Sequence, residues 1–346
     1  MLADEVSVIA ENLHEHGYAT IGIQTNASLK QKSHFNQGFD KYIFYNPLTP
    51  GKKVVDTFIN ELQKRDRRPL FFYLHFMDTH QPYKSTKTHL KLFEKSYDGE
   101  LSKEKFDKFI EVRNGTLTLD GADKNHIIAL YDAAIRYLDD QVQRVFDALK
   151  KEGLFDDTII IFTSDHGEEF WDHGSVEHGH TMYNELLRVP LLVWNLSESR
   201  RVSRVKQIIR LIDIFPTLMS RLDIPAPAHI AGQNISAAYD GGADPAEDRL
   251  NLTAFSEIVL YGQEKKAVQT DKYKLIMNMR THQTELYDME KDPEELVPLA
   301  DKTLTKKYIA ILDDFRVSGD AVFTHKPVTK KLDKETVKQL KSLGYL

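Results

Sequence analysis

The 346-residue chain contains no cysteine. A disulfide scaffold, thiolate zinc sites, iron–sulfur ligation and a thiol nucleophile are therefore excluded within it. It contains no apolar run near the ~18 residues that a membrane span needs, so no membrane span is expected. It also lacks a basic excess: 46 Lys and Arg stand against 52 Asp and Glu, a formal net charge of −6. Nucleic-acid binding draws much of its affinity from a basic face, so no nucleic-acid partner is expected. The opening residues, MLADEVSVIAENLHEHGY, put acids where a signal peptide has a basic flank and polar breaks where it has an apolar stretch. The expectation is a soluble chain, cytoplasmic if Met1 is the true start. Walker loops, dinucleotide glycine turns and Gly-x-Ser-x-Gly elbows do not occur, and neither repeats nor low-complexity tracts are found. What is present is globular in composition, with 41% apolar and 28% charged residues.

Apolar periodicity alternates between helix and strand. Val6, Ile9, Ala10 and Leu13 form a helical stripe that stops at Gly17, and residues 19–23 read as a short strand. A second helix carries Val54, Phe58, Ile59 and Leu62 and ends in the basic run 64–68, a solvated helix end. A strand follows at 71–76. The longest helix spans roughly 124–151, with Ile127, Tyr131, Ala134, Ile135, Leu138, Val142, Val145, Phe146 and Leu149 on its apolar face. The β-branched run 158–163 predicts a strand buried on both faces of a parallel sheet, and 189–194 a further strand beginning at Pro190. This alternation predicts an α/β layered sheet with helices on both faces. The turn-rich stretch 240–245 reads as a boundary, giving an α/β domain over 1–239 and a small α+β subdomain over 240–346. Within the latter, short strands are expected at 252–258, 265–270 and 273–279, followed by two helices.

The densest chemistry lies in Thr163–His180. Four of the 14 histidines fall within 166–180, where uniform spacing would give fewer than one. They sit among carboxylates directly after a strand, and open α/β sheets bind ligands beyond the carboxyl ends of their strands. Asp165 beside His166 offers one hard and one borderline ligand to a divalent cation. The bland alternative is a polar loop whose histidines cap or pack. A second candidate, Met77-Asp78-Thr79-His80-Gln81-Pro82-Tyr83, also follows a strand. It could place His80 at the same sheet edge as a proton donor or oxyanion contact, or it could be an ordinary turn in which Asp78 bonds its own backbone. Arg188 could contact an anion or pair with a neighbour such as Glu185.

These residues together resemble the sulfatase family of the alkaline-phosphatase-like superfamily. The likeness runs in order through Ala10–Leu13, Gly17–Thr20, Asn26, Phe35–Asp40, the 71–83 segment ("HF-x-D-x-H-x-P-Y"), Thr163–Glu168 ("SDHGE") and Tyr183–Pro190 ("Y-x-E-x-x-R-V-P"). It continues through Asp213–Leu218 ("D-x-x-P-T-L"), Tyr273–Leu275, Glu285–Asp288, Asp292–Glu294 and the closing Leu343–Leu346. The resemblance implies an alkaline-phosphatase-like sheet and metal-dependent hydrolysis of sulfate esters on a sulfated small molecule or carbohydrate. Asp165 and His166 would bind the cation, usually Ca2+. His80 would contact the sulfate and protonate or orient the leaving oxygen. His180, with His178 as alternative, stands near the family's sulfate-binding lysine, and Arg188 near the substrate.

The departure from the pattern is at the start. The family's first strand carries acidic metal ligands, and its following helix opens with Cys/Ser-x-Pro-x-Arg, whose Cys or Ser becomes the formylglycine nucleophile. Neither element occurs around any of the 12 prolines. The expectation is a fold lacking its first strand and helix, inactive as written and poorly soluble. Two alternatives are a non-catalytic remnant that binds a sulfated or phosphorylated ligand, and a hydrolase of phosphate or phosphonate esters.

Overall fold

A computed structural model describes residues 2–3, 6–99, 101, 108–195, 204–227, 230–238, 252–259, 264–322 and 334–342. The chain gathers into two units, Met1–Asp156 with Val328–Leu346, and Asp157–Pro327. The stretch 240–245 and the closing Leu343–Leu346 lie outside the described residues.

In the first unit, helix α1 (Ile9–Glu15) buries Ala10 and Leu13, while Val6 is exposed and stands outside the stripe. Gly17, at φ +84°, ends the helix in a backbone region that L side chains avoid. Strands β1 (Ala19–Gln24), β2 (Lys41–Phe44) and β3 (Leu70–Leu74) form a parallel sheet in the order β2-β1-β3. Ile23 stands opposite both Ile43 and Leu74. Burial is almost continuous along β1, as expected of a central parallel strand covered on both faces. Helix α2 (Gly51–Gln63) packs on β1 and β3, with Phe58 set edge-on to Phe72 at 4.9 Å. Helices α3 (Lys87–Phe93) and α4 (Phe109–Arg113) follow. Helix α5 (Gly121–Lys151) then packs on α2 and α3. It starts because the Asp120 carboxylate accepts from the Asp123 amide and Asp123 reciprocates. Its buried stripe runs through Ile127, Leu130, Ala133, Ala134 and Tyr137. Ile135, read as part of the apolar face, is 45% exposed. The buried stripe passes on another side of the helix, through Ala133 and Tyr137.

In the second unit, β4 (Ile160–Thr163) pairs with β7 (Leu191–Trp194), and between them come the two-residue strands β5 (Glu169–Phe170) and β6 (Val176–Glu177) and helix α6 (Asn184–Leu187). Here the reading of 158–163 is corrected. The β4–β7 pair is antiparallel, with Ile161 opposite Val193, β4 is half-buried, and Leu192 and Val193 are exposed. An apolar β-branched run records side-chain packing, not strand direction, so it fits either kind of pairing. Helix α7 (Ile214–Arg221) follows. Strands β8 (Ala254–Ile258), β9 (Lys265–Gln269), β10 (Tyr273–Asn278) and β11 (Thr284–Asp288) form an antiparallel sheet in the order β11-β10-β9-β8. The strand β11 was legible only as a stretch of family resemblance.

Alternation along these strands separates two cores. Val268, Leu275, Met277 and Leu286 pack with Tyr308 and Leu312 of helix α8 (Lys302–Val322). Ala267, Ile276 and Tyr287 pack with Met182, Tyr183 and Leu187. The last helix, α9 (Lys334–Ser342), belongs to the first unit, where Lys30 Nζ donates to Thr336 Oγ1 at 3.2 Å.

Candidate active site

The segment 164–188 leaves the end of β4, folds through β5 and β6, and closes on α6. Its turn at Gly167 is held by the Gly167 amide donating to Leu186 O at 2.8 Å. Only glycine fits there, because a Cβ would lie 1.9 Å from Glu185 O. The turn presents Asp165 and His166 together, with Asp165 Oδ1 3.8 Å from His166 Nε2. His166 Nδ1 lies 2.8 Å from Gly167 O, which assigns the neutral ring as the Nδ1–H tautomer with its lone pair on Nε2. The His178 ring stacks on His166 at 4.1 Å, and its Nδ1 lies 3.0 Å from Glu168 Oε1. Three of the residues read from the sequence, Asp165, His166 and His178, are thus brought together.

His180 is turned to another carboxylate. Its Nε2 lies 3.3 Å from Glu169 Oε2, and the Glu169 side chain is fully buried. Glu169 also accepts from the amides of Ser175 at 2.9 Å and His173 at 3.3 Å, and from Thr181 Oγ1 at 3.2 Å. Burial alone would raise this carboxyl, but the His180 ring, the Ser175 amide and the Thr181 hydroxyl outweigh it and hold it below the usual glutamate range. Arg188 is exposed and makes no ion pair among the described residues. Glu185, its expected partner, goes instead to His173, with Oε1 2.7 Å from Nδ1. Burial opposes a charge on His173, yet Glu185 and the Glu295 carbonyl raise its pKa above the ordinary value.

His80 belongs to the first unit. It is 8% exposed, and its Nδ1 lies 2.8 Å from Gln81 O, before a cis Gln81–Pro82 bond. Asp78 bonds its own backbone amide, as a turn residue does, and reaches further. Its carboxylate accepts from the Gly51 amide at 2.9 Å, at the positive end of α2. Lys84 closes the turn, with its amide on Asp78 O and its Nζ donating to Pro47 O at 2.7 Å and Met77 O at 3.0 Å. Burial pushes Lys84 down to about 8, against the pull of Asp78.

Asp165 and His166 converge closely enough to serve as two ligands of one cation. Among the described residues, no group of three or more His, Asp or Glu side chains is gathered for a metal ion. Two donors fall short of the roughly six to eight oxygens that Ca2+ takes.

The family model for sulfatases matches residues 2–224, and the model described as N-sulphoglucosamine sulphohydrolase, C-terminal, matches 172–315. The chain belongs to the sulfatase family. An uncharacterised sulfatase of Escherichia coli, YidJ, is 33% identical over 192 residues, 53% of this chain and 37% of that relative. The chain thus spans well under two thirds of that relative's length. Among solved structures, one held in complex with its substrate D-glucosamine-2-N,6-O-disulfate superposes with a TM-score of 0.74 at 19% identity. The match covers 92% of this chain and 83% of the other. The phosphonate monoester hydrolase of Agrobacterium radiobacter gives 0.70, also at 19% identity, covering 92% and 81%. Such distant likenesses establish the alkaline-phosphatase-like fold. Within this sulfatase-family chain no helix of the described residues is long and apolar enough to cross a membrane.

Several features that organise the loop escaped the sequence reading: the role of Glu169, the His173–Glu185 pair, and the pairing of Lys274, quoted only within the Tyr273–Leu275 likeness, with Glu295. Lys274 had a visible signal, a lone cation inside the apolar strand Tyr-Lys-Leu-Ile-Met. The others are one carboxylate or imidazole among several in a polar stretch, and sequence does not rank them.

Proposed function

We propose that this chain carries the cation- and sulfate-binding residues of a metal-dependent hydrolase of sulfate esters that acts on a sulfated small molecule or carbohydrate. The observation that carries the reading is the sulfatase match over 2–224 together with the close approach of Asp165 to His166 at the strand end. Asp165 and His166 would hold the cation, Ca2+ by family resemblance, and the cation when bound neutralises the sulfate oxygens. His80 contacts the sulfate and protonates or orients the leaving oxygen. His180 is the second catalytic candidate, and His178 and Arg188 bind the substrate. The formylglycine of the family has no counterpart motif in these 346 residues, so on their own they bind a sulfate ester without turning it over.

The test is calorimetric titration with Ca2+, then with an aryl sulfate, an aryl phosphate and an aryl phosphonate. Ca2+-dependent binding that prefers the sulfate and is lost in Asp165→Ala and His80→Ala supports the reading. Preference for the phosphate or phosphonate would move the substrate class. Sulfate binding indifferent to Ca2+ and to Asp165 would leave only a remnant that binds anions.

A further inference from the structure

The most deeply buried ion pair of the described residues lies outside the candidate site. Lys274 Nζ and Glu295 Oε1 are 2.6 Å apart, and both side chains are fully buried. Removing two charges from water is costly, and a pair of apolar residues of similar volume often gives equal or greater stability. An ion pair kept at such a place calls for a reason other than stability.

Its contacts supply one. Lys274 alternates with Leu275 on β10, so it shares with Ile276 the sheet face that packs on Met182, Tyr183 and Leu187. From there Nζ donates to Asn184 Oδ1 at 3.2 Å. The other oxygen of Glu295, Oε2, accepts from the Asn184 amide at 2.6 Å, and Asn184 Nδ2 donates to Pro293 O at 3.3 Å. The Glu295 carbonyl faces His173 Nε2 at 3.1 Å. His173 in turn stacks on Tyr183 at 3.7 Å, and the Tyr183 hydroxyl donates to Glu285 on β11 at 2.6 Å. Glu295 holds this position with φ +57°, a region costly for a side chain with a Cβ. Asn184 begins α6, two residues before Leu186, whose carbonyl receives the Gly167 amide beside Asp165 and His166.

We propose that Lys274 and Glu295 are positioning residues for the Asp165–His166 pair. Together they fix the start of α6, and with it the carbonyl that sets the Gly167 turn. The assignment rests on the reading of Asp165 and His166 as site residues, but its test does not depend on activity or metal binding.

Amide hydrogen exchange on the full chain reads the Gly167 and Asn184 N–H groups directly. In Glu295→Gln both exchange at least ~10-fold faster, while the amides linking β9 to β10 keep their protection. The double variant Lys274→Met/Glu295→Leu removes the buried charges and fills the space. It recovers most of the lost melting temperature, but its Gly167 and Asn184 amides still exchange fast, and the His166 and His178 ring signals in a 1H–15N spectrum are shifted from wild type. Wild-type protection at Gly167 in Glu295→Gln would overturn the proposal. So would restored protection in the double variant, which would reduce the pair to core filler. If wild type binds no Ca2+ while Gly167 responds as described, the sulfatase-site reading fails and the positioning role stands.

Discussion

Glu169 is the acceptor around which the histidine segment folds, and removing it should be among the costliest single changes in the second unit. In Glu169→Ala, two amides and one hydroxyl lose their partner at a fully buried position. A buried donor left unsatisfied costs about 1–3 kcal/mol. Water entering the vacated space would recover part of that, so the expected loss is about 3–5 kcal/mol, a large share of a typical ~5–15 kcal/mol stability. Glu169→Gln keeps one oxygen for Ser175 and His173, and its amide can donate to Thr181 Oγ1, so about 1–2 kcal/mol is expected for the lost charge. Urea unfolding followed by tryptophan fluorescence suits the purpose, because Trp171 and Trp194 both lie in this unit. The pH dependence gives a second check. With the folded pKa held below that of the unfolded chain, the carboxylate's contribution is present above about pH 4.3 and is lost as pH falls through the lower folded value. The wild-type advantage over Glu169→Gln should therefore shrink in acid. A Glu169→Ala midpoint within ~0.5 kcal/mol of wild type would refute the reasoning.

Three further expectations follow from other buried groups. Asp213→Ala removes a fully buried carboxylate that takes the backbone amide, Nε and Nη2 of Arg210 and the Gln233 amide, and should cost about 3–5 kcal/mol in thermal unfolding, with Arg210→Met partly restoring it by removing the orphaned charge. Lys84, lowered to about 8, is protonated in the unfolded chain and neutral in the folded one between pH 8 and the ordinary lysine value of about 10.4. Stability relative to Lys84→Met should therefore rise with pH across that window, and a difference that is flat with pH would rule the shift out. The neutral amine still has two N–H donors for Pro47 O and Met77 O. Gly167→Ala meets backbone, not a movable side-chain end, and should cost about 1–3 kcal/mol in unfolding while broadening the His166 ring signals.

Helices α1, α2 and α5, strands β1, β3, β4 and β7 to β10, the class of fold and the crowding of histidines and carboxylates after β4 were legible in the residues, whereas β2 and β11 were not read as strands. Each legible feature is local: period 3.6 or 2 in apolar side chains, a helix-ending glycine at 17, and a composition anomaly over 166–180. Strand direction was not legible, and the antiparallel β4–β7 pair shows why, since packing preference is blind to polarity. Nor was the partner of each charge. Glu185 reads as a match for Arg188 three residues away but goes to His173, and Asp78 bonds its own amide as a turn residue does but also receives the first amide of α2. Lys274 and Glu295 stand 21 positions apart in sequence yet share one buried contact. Which ionisable side chains end up desolvated together depends on how β10, β11 and the histidine segment stack, and burial sets the energy of such contacts. Residue types therefore announce a loop crowded with histidines and carboxylates in this sulfatase-family chain, while three-dimensional packing selects the groups that hold the loop in place.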